Sequence, residues 1–389
     1  MLDFQPLPHY FSPEHEQFRS TLREFVAREI TPFVNEWDEA GTFPRSLYKR
    51  AAELGIAGLG YPEEFGGTPV DVFYHLVAAE EFARSGGGGV AASLNSHTIG
   101  LPPILNHGSA ELKQRVIPSV LCGDKIAALA VTEPSGGSDV AALRTTAVRD
   151  GDHYIVNGEK TFITSGMRAD FFTVAVRTDP ANKGAGGISA LLIEGDTPGL
   201  SRTELKKMGW WSSDTAHLHF DNCRVPASNL IGIENKGFKT FMSNFNSERL
   251  GMAASACGYA QVCLEEALDW ARQRHTFGQA LSERQVMRHK LMDMVLRIDA
   301  ARCLVYELAY RIKHQAGDPN QLVARICMAK VLATQAMQFC ADQSLQILGG
   351  MGYMRGTRSE RIYREVKVMM IGGGSEEILK DLAARQLGI

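Results

Sequence analysis

Residues 145–164 read Thr-Thr-Ala-Val-Arg-Asp-Gly-Asp-His-Tyr-Ile-Val-Asn-Gly-Glu-Lys-Thr-Phe-Ile-Thr. Short alternating runs rich in β-branched and aromatic residues are separated by two turn dipeptides, Asp150-Gly151 and Asn157-Gly158. That pattern predicts strands at 145–149, 153–156 and 160–164 joined by two tight turns, a β-meander. Strand-like runs continue at 171–177, 188–194 and 216–220, and Val225-Pro226 closes the region. On either side the apolar period changes to that of a helix. Phe18, Leu22, Phe25, Val26, Ile30 and Phe33 predict a first helix from Ser12 to about Trp37, with Ser12 as N-cap and Pro13 at the first helical position. Helices are also expected near 45–55, 70–85, 90–106 and 109–122, and beyond the β region at 237–274, 281–315, 319–348 and 375–387. The chain thus divides into a helical unit at 1–125, a β unit at 126–230 and a helical bundle at 231–389. This order is an α+β class, and it excludes a doubly wound sheet, whose strands and helices would alternate.

The 389 residues suggest two to three domains. With 44% hydrophobic and 22% charged residues the chain is globular, and 41 basic against 44 acidic side chains leave no field for a phosphate backbone. No nucleic-acid partner is expected. Seven scattered cysteines form no Cys-x-x-Cys pair and read as reduced, mostly core thiols. His217 and His219 share a strand face and are given no metal role. The N-terminal stretch lacks the basic and apolar regions of a signal peptide, and no apolar run is long enough to span a membrane. A cytoplasmic location is the expectation, although a mature organellar form would look the same.

Dinucleotide-binding, P-loop, serine-hydrolase and zincin motifs are missing. Two stretches carry other chemistry. In Ala127-Ala-Leu-Ala-Val-Thr-Glu-Pro-Ser-Gly-Gly-Ser-Asp139, small residues let backbone amides approach a ligand, and Thr132 and Ser138 add hydroxyls. In Tyr154-Ile-Val-Asn-Gly-Glu-Lys-Thr-Phe-Ile-Thr-Ser-Gly166, an aromatic stands two residues before a hydroxyl.

Together these stretches resemble the flavin signatures of the acyl-CoA dehydrogenase family. Three further blocks resemble that family in the same order: Ala271-Arg-Gln-Arg-His-Thr-Phe-Gly278, Gln346-Ile-Leu-Gly-Gly-Met-Gly-Tyr353 and Ile371-Gly-Gly-Gly-Ser-Glu-Glu-Ile378. The resemblance spans nearly the whole chain. It implies an N-terminal helical domain, a small β-barrel or sandwich domain and a C-terminal four-helix bundle, with FAD bound without a dinucleotide-binding fold.

The resemblance also implies site residues. Val131, Thr132, Gly137 and Ser138 would contact the flavin, Phe162 would lie against its ring system, and Thr164 would bond near its reactive edge. Arg274, Phe277, Gln285, Gln346, Gly349 and Gly350 would reach the pyrophosphate and adenosine across a dimer interface, with Ser375 and Glu377 nearby. A homotetramer, acyl-CoA as substrate and an electron-transfer flavoprotein as acceptor follow by the same analogy, as does the reaction: α-proton abstraction with transfer of the β-hydrogen to the flavin as hydride.

Many family members carry the base as a Glu in the closing block, where this chain has Gly373. The long-chain and isovaleryl types carry it on a helix immediately before an Arg, an arrangement resembled by Phe245-Asn-Ser-Glu-Arg-Leu250. Glu248 is therefore the expected base, with Arg249 as its neighbour and the Gly373 amide polarising the thioester carbonyl. Asn246, Arg249, Gly372 and Ser138 are expected along the substrate, and Ala91, Ala92 and Asn95 at the end of the acyl channel, which suggests a longer or branched chain. Trp210-Trp211 would flank the entrance or form a packed pair. Two other readings keep the fold: a flavin-dependent oxidase or monooxygenase, and a non-catalytic acyl-CoA- or flavin-binding protein.

Overall fold

A computed structural model describes residues 6–182, 184–242 and 244–389. Helix α1 (Pro13–Glu29) begins behind Ser12 as expected, and the Ser12 N–H donates to His15 Nδ1 at 2.9 Å. It does not run to Trp37. Pro32, which lacks an N–H, falls in a 3-10 turn at Thr31–Phe33, and a separate helix α2 (Val34–Ala40) follows. The stretch expected as one helix at 90–106 is likewise three: α3 (Gly88–Leu94), then His97–Gly100 and Pro102–His107, a new segment opening at Pro102-Pro103.

The β region is a mixed sheet. Its strands are β1 (Ala127–Ala130), β2 (Thr146–Asp150), β3 (His153–Thr164), β4 (Phe171–Arg177), β5 (Ile188–Glu194), β6 (Leu200–Glu204), β7 (Thr215–Pro226) and β8 (Leu230–Ile231). They lie in the order β6-β7-β3-β2-β4-β5-β8, with β1 added parallel to β4. The Asp150-Gly151 turn joins β2 to β3, pairing Asp150 with His153. Asn157-Gly158 is not a turn, however. β3 continues through it for 12 residues, with a register shift against β7 between Val156 and Gly158. The local reason is packing: Gly158 has φ +139°, and a Cβ there would sit 2.7 Å from Thr145 Cα. Asn157 Oδ1 accepts the Asn222 N–H at 2.8 Å, closing the bulge. Gly158→Ala is expected to destabilise the protein by about 1–3 kcal/mol, read by thermal denaturation.

Beyond the sheet, helix α4 (Phe245–Gln273) packs against α5 (Gln285–Lys313) and α6 (Pro319–Leu348) over a core rich in small residues such as Ala253, Ala256 and Ala260. Two more helices complete the bundle, α7 (Arg358–Ile371) and α8 (Glu376–Leu387). α7 is absent from the sequence reading because its run Arg-Ser-Glu-Arg-Ile-Tyr-Arg-Glu-Val-Lys looks solvated. In the fold Arg361 and Glu365 are buried, and Asp38 on α2 meets Arg364 Nη2 at 3.0 Å and Arg361 Nε at 3.6 Å. The order helical, β, helical thus matches the class read from sequence. It brings the start of α4 against the α7–α8 loop, and β1 with the residues after it against β3.

Candidate active site

The two flavin-like stretches are tied together by a buried ion pair. Lys160 on β3 is wholly inaccessible, and its Nζ donates to Glu133 Oε1 at 2.7 Å and to the Val131 carbonyl at 3.0 Å. Glu133 also accepts the amides of Arg144 at 2.6 Å and Thr145 at 2.9 Å. Burial works against ionisation of Glu133, but the Lys160 charge and these hydrogen bonds hold its carboxyl below the ordinary range. Desolvation lowers the Lys160 ammonium to about 8, with Glu133 opposing. The Thr161 amide donates to the Thr132 carbonyl at 2.9 Å, fixing one stretch beside the other.

On this frame Phe162 is 70% exposed and has φ +61°, a conformation an aromatic residue adopts only under strain of about 1–3 kcal/mol. Among the described residues, no acceptor or donor engages the Thr132 and Thr164 hydroxyls, nor the amides of Gly137 and Ser138. An exposed ring and unengaged donors therefore face outward from one small region. A second set lies at the far end of α4. Phe277, 97% exposed with φ +51°, and Gly278, with φ +80°, form a tight turn between the short strands His275–Thr276 and Gln279–Ala280. Arg274, Gln285, Gln346, Gly349 and Gly350 are also exposed. Gln273 and Met351, which flank this set, line one groove of about 180 Å³ floored by Trp270.

Glu248 stands in the first turn of α4. Its residue surface is only partly covered, yet its Oε2 is buried with no hydrogen-bond partner among the described residues. Burial pushes its carboxyl up to about 7, against the pull of Arg249 and Lys330. The glycine loop between α7 and α8 closes over it. A Cβ at Gly373, which has φ +67°, would lie 3.9 Å from Glu248 Oε1 and 3.1 Å from Met252 Sδ. A side chain at 373 would thus start in van der Waals contact with the carboxylate. Arg249, buried, donates from Nε to the Gly373 carbonyl at 3.0 Å and from Nη1 to Asn246 Oδ1 at 3.2 Å. The amide of Gly373 has no acceptor among the described residues, while Gly372 N–H bonds Val368 O at 2.7 Å. Ser375 caps α8, with Glu377 exposed in its first turn.

Sequence reasoning missed Lys330. Its Nζ donates to the carbonyls of Met370 and Gly374, both at 3.0 Å, on either side of the glycine loop. A lysine in an apolar helical run gives no signal of such a partner forty residues away.

Ala91 and Ala92 are half-buried on α3. Asn95 turns its amide back to the Ala91 carbonyl at 2.9 Å and lines a cavity of about 10 Å³ with His97 and Tyr48, so that donor is already engaged. The Asn244 side chain donates to the Thr98 carbonyl at 3.2 Å, which sets the segment after α3 against the start of α4. Trp211 is a packed ring: the guanidinium of Arg364 lies 3.8 Å and that of Arg355 4.3 Å from its centroid.

Comparison with known proteins matches three family models end to end: "Acyl-CoA dehydrogenase, N-terminal domain" over residues 12–124, the middle domain over 128–223 and the C-terminal domain over 235–388. The chain belongs to the acyl-CoA dehydrogenase family. An acyl-CoA dehydrogenase of Bacillus subtilis (strain 168) is 38% identical, covering 97% of this chain and 99% of its own. The mitochondrial isobutyryl-CoA dehydrogenase of Dictyostelium discoideum is 37% identical over 96% of this chain and 89% of its own. Among solved structures, the acyl-CoA dehydrogenase of Geobacillus kaustophilus superposes with a TM-score of 0.94 at 37% identity, covering 98% and 100% of the two chains. A glutaryl-CoA dehydrogenase of Mycobacterium smegmatis, solved in complex with FADH2, superposes with a TM-score of 0.90 at 27% identity over 97% and 95%.

As an acyl-CoA dehydrogenase the chain is an FAD-dependent enzyme acting on acyl-CoA, and an electron-transferring flavoprotein fits as acceptor. Its residues suit the cofactor: an exposed ring on strained backbone, unengaged hydroxyls and amides around β1 and β3, and a half-buried carboxylic acid of raised affinity for protons. No helix of the described residues is long and apolar enough to cross a membrane.

Proposed function

We propose that this acyl-CoA dehydrogenase uses Glu248 as its base and takes a longer or branched acyl chain. The observation that carries the base assignment is the position of its carboxylate. Oε1 lies 3.9 Å from where a Cβ of Gly373 would be, and Oε2 is buried and unpartnered. A base must reach the α-carbon from a dry site and be ionised near neutral pH, and an acid raised to about 7 by burial meets both needs.

Glu248 takes the α-proton, and the electron pair left behind becomes the α,β double bond as the β-hydrogen departs. FAD, when bound, would supply the acceptor for that hydrogen and its electron pair. Val131, Thr132, Gly137, Ser138, Phe162 and Thr164 would hold the cofactor in this chain. Arg274, Phe277, Gln285 and the Gln346–Gly350 block would hold it from a second copy, in a homotetramer. The free amide of Gly373 donates to the thioester carbonyl as negative charge develops there, and Arg249 restrains the residue from its other side by holding the carbonyl of the following peptide, that of Gly373. Asn246 serves through Arg249, whose guanidinium it anchors.

The isobutyryl-CoA dehydrogenase of Dictyostelium, 37% identical to this chain, supports a branched acyl group. Anaerobic bleaching of the flavin by butyryl-, isobutyryl-, isovaleryl- and palmitoyl-CoA tests this. Isobutyryl-, isovaleryl- or palmitoyl-CoA is expected to bleach fastest; a clear preference for butyryl-CoA over all three removes the substrate reading.

A further inference from the structure

The glycine loop has a cost that the base assignment leaves open. Gly373 and Gly374 take φ +67° and +115°, conformations with great freedom in an unfolded chain, yet the loop must present one amide at one place. Its carbonyls show how it is held. Those of Met370 and Gly374 both point to Lys330 Nζ at 3.0 Å, and that of Gly373 to Arg249 Nε at 3.0 Å. The Met370 carbonyl belongs to the last turn of α7, where no intrahelical donor remains and a cation is favoured. The Lys330 residue is wholly inaccessible, so no solvent competes for its protons.

We propose that Lys330 is a positioning residue, which ties the end of α7 to the start of α8 across the glycine loop and supplies a fixed positive charge to the Glu248 carboxylate. This rests on Glu248 being the base. The charged groups around the pair are few. Arg249 faces Glu248 from its own helix, Lys330 faces it from α6, and Glu376 at the start of α8 and Cys327 one turn before Lys330 act on the lysine. Glu376 spends its Oε2 on Gln335 at 2.9 Å and Lys380 at 3.4 Å. Burial lowers the Lys330 ammonium to about 8, against Glu376 and Glu248, so most of the charge is present at about pH 7, where Glu248 is half ionised. Taking it away makes ionisation of Glu248 harder and moves that range upward.

The test uses the flavin-loaded protein as parent, Lys330→Gln and Lys330→Arg, each with and without Glu248→Gln. The first readout needs no substrate. The gap in melting temperature between each protein and its Glu248→Gln partner is followed from pH 5 to 9.5. In the parent the gap widens with pH and levels off near 7; with Lys330→Gln it is expected to level off about one unit higher. The second readout is the acidic limb of anaerobic flavin reduction by isobutyryl-CoA and butyryl-CoA. It is expected to move upward by the same unit, an approximately tenfold loss at pH 6 that recovers as the pH rises. Lys330→Arg keeps the charge and is expected to leave both where the parent has them. An unmoved levelling point and limb in Lys330→Gln, or a shift in Lys330→Arg as large as in Lys330→Gln, overturns the proposal. If Glu248→Gln itself reduces its flavin at the parental rate, the base assignment falls instead.

Discussion

Glu248→Gln is expected to slow flavin reduction by acyl-CoA by about 100- to 10,000-fold while the flavin remains bound, since general-base catalysis contributes on that order. Glutamine has the same shape, so Arg249 and the glycine loop keep their bonds and only the proton acceptor is lost. Stopped-flow reduction with the fastest acyl-CoA of the panel measures the effect, and a near-parental rate would falsify the assignment. The same substitution has an opposite effect on stability. The folded protein holds the Glu248 proton up to about pH 7, against an ordinary value of 4.5. Stability from this group is therefore complete below about 4.5 and is lost as the pH rises through 7, a difference of up to about 3 kcal/mol. Glutamine is neutral throughout. Its variant should match the parent at low pH and melt higher above pH 7, less active and more stable at once.

Lys160→Met is the second large effect, and it concerns the cofactor frame. It leaves Glu133 buried with no countercharge, which costs about 3–5 kcal/mol when one partner of a buried pair is removed. The Val131 carbonyl loses its donor as well. A lower melting temperature and faster loss of flavin on dilution are expected, with the acid limb of the Glu248 reaction unchanged. Adding Glu133→Gln should recover much of the loss, because a neutral amide oxygen still accepts one of the Arg144 and Thr145 amides without carrying a charge. If the double variant is no better than Lys160→Met, the frame is held by packing rather than by the ion pair.

Several elements could be read directly because their signals are local. α6 and α8 show helical periods with recognisable starts, Asp318 and Ser375 each capping through a side-chain oxygen. The Asp150-Gly151 turn needs nothing beyond its own dihedral freedom. Other signals were ambiguous. Asn157-Gly158 suits a turn and a bulge equally, and the choice is made by Thr145, just before β2, and Asn222 on β7. α7 was hidden because its charges look solvated until Asp38 is placed against Arg361 and Arg364. Lys160 and Lys330 were hidden for the same reason, as lysines are ordinarily surface residues.

The order of blocks along the chain was enough to determine the family and its fold, because each block's residue types are chosen by a ligand or a backbone conformation. Whether Glu248 meets Gly373, which carbonyls Lys330 holds and which acids are pushed toward neutral pH depend on groups up to 125 residues apart sharing a few ångströms of dry space. Desolvation and hydrogen-bond geometry are properties of that shared space, and only the packed chain creates it.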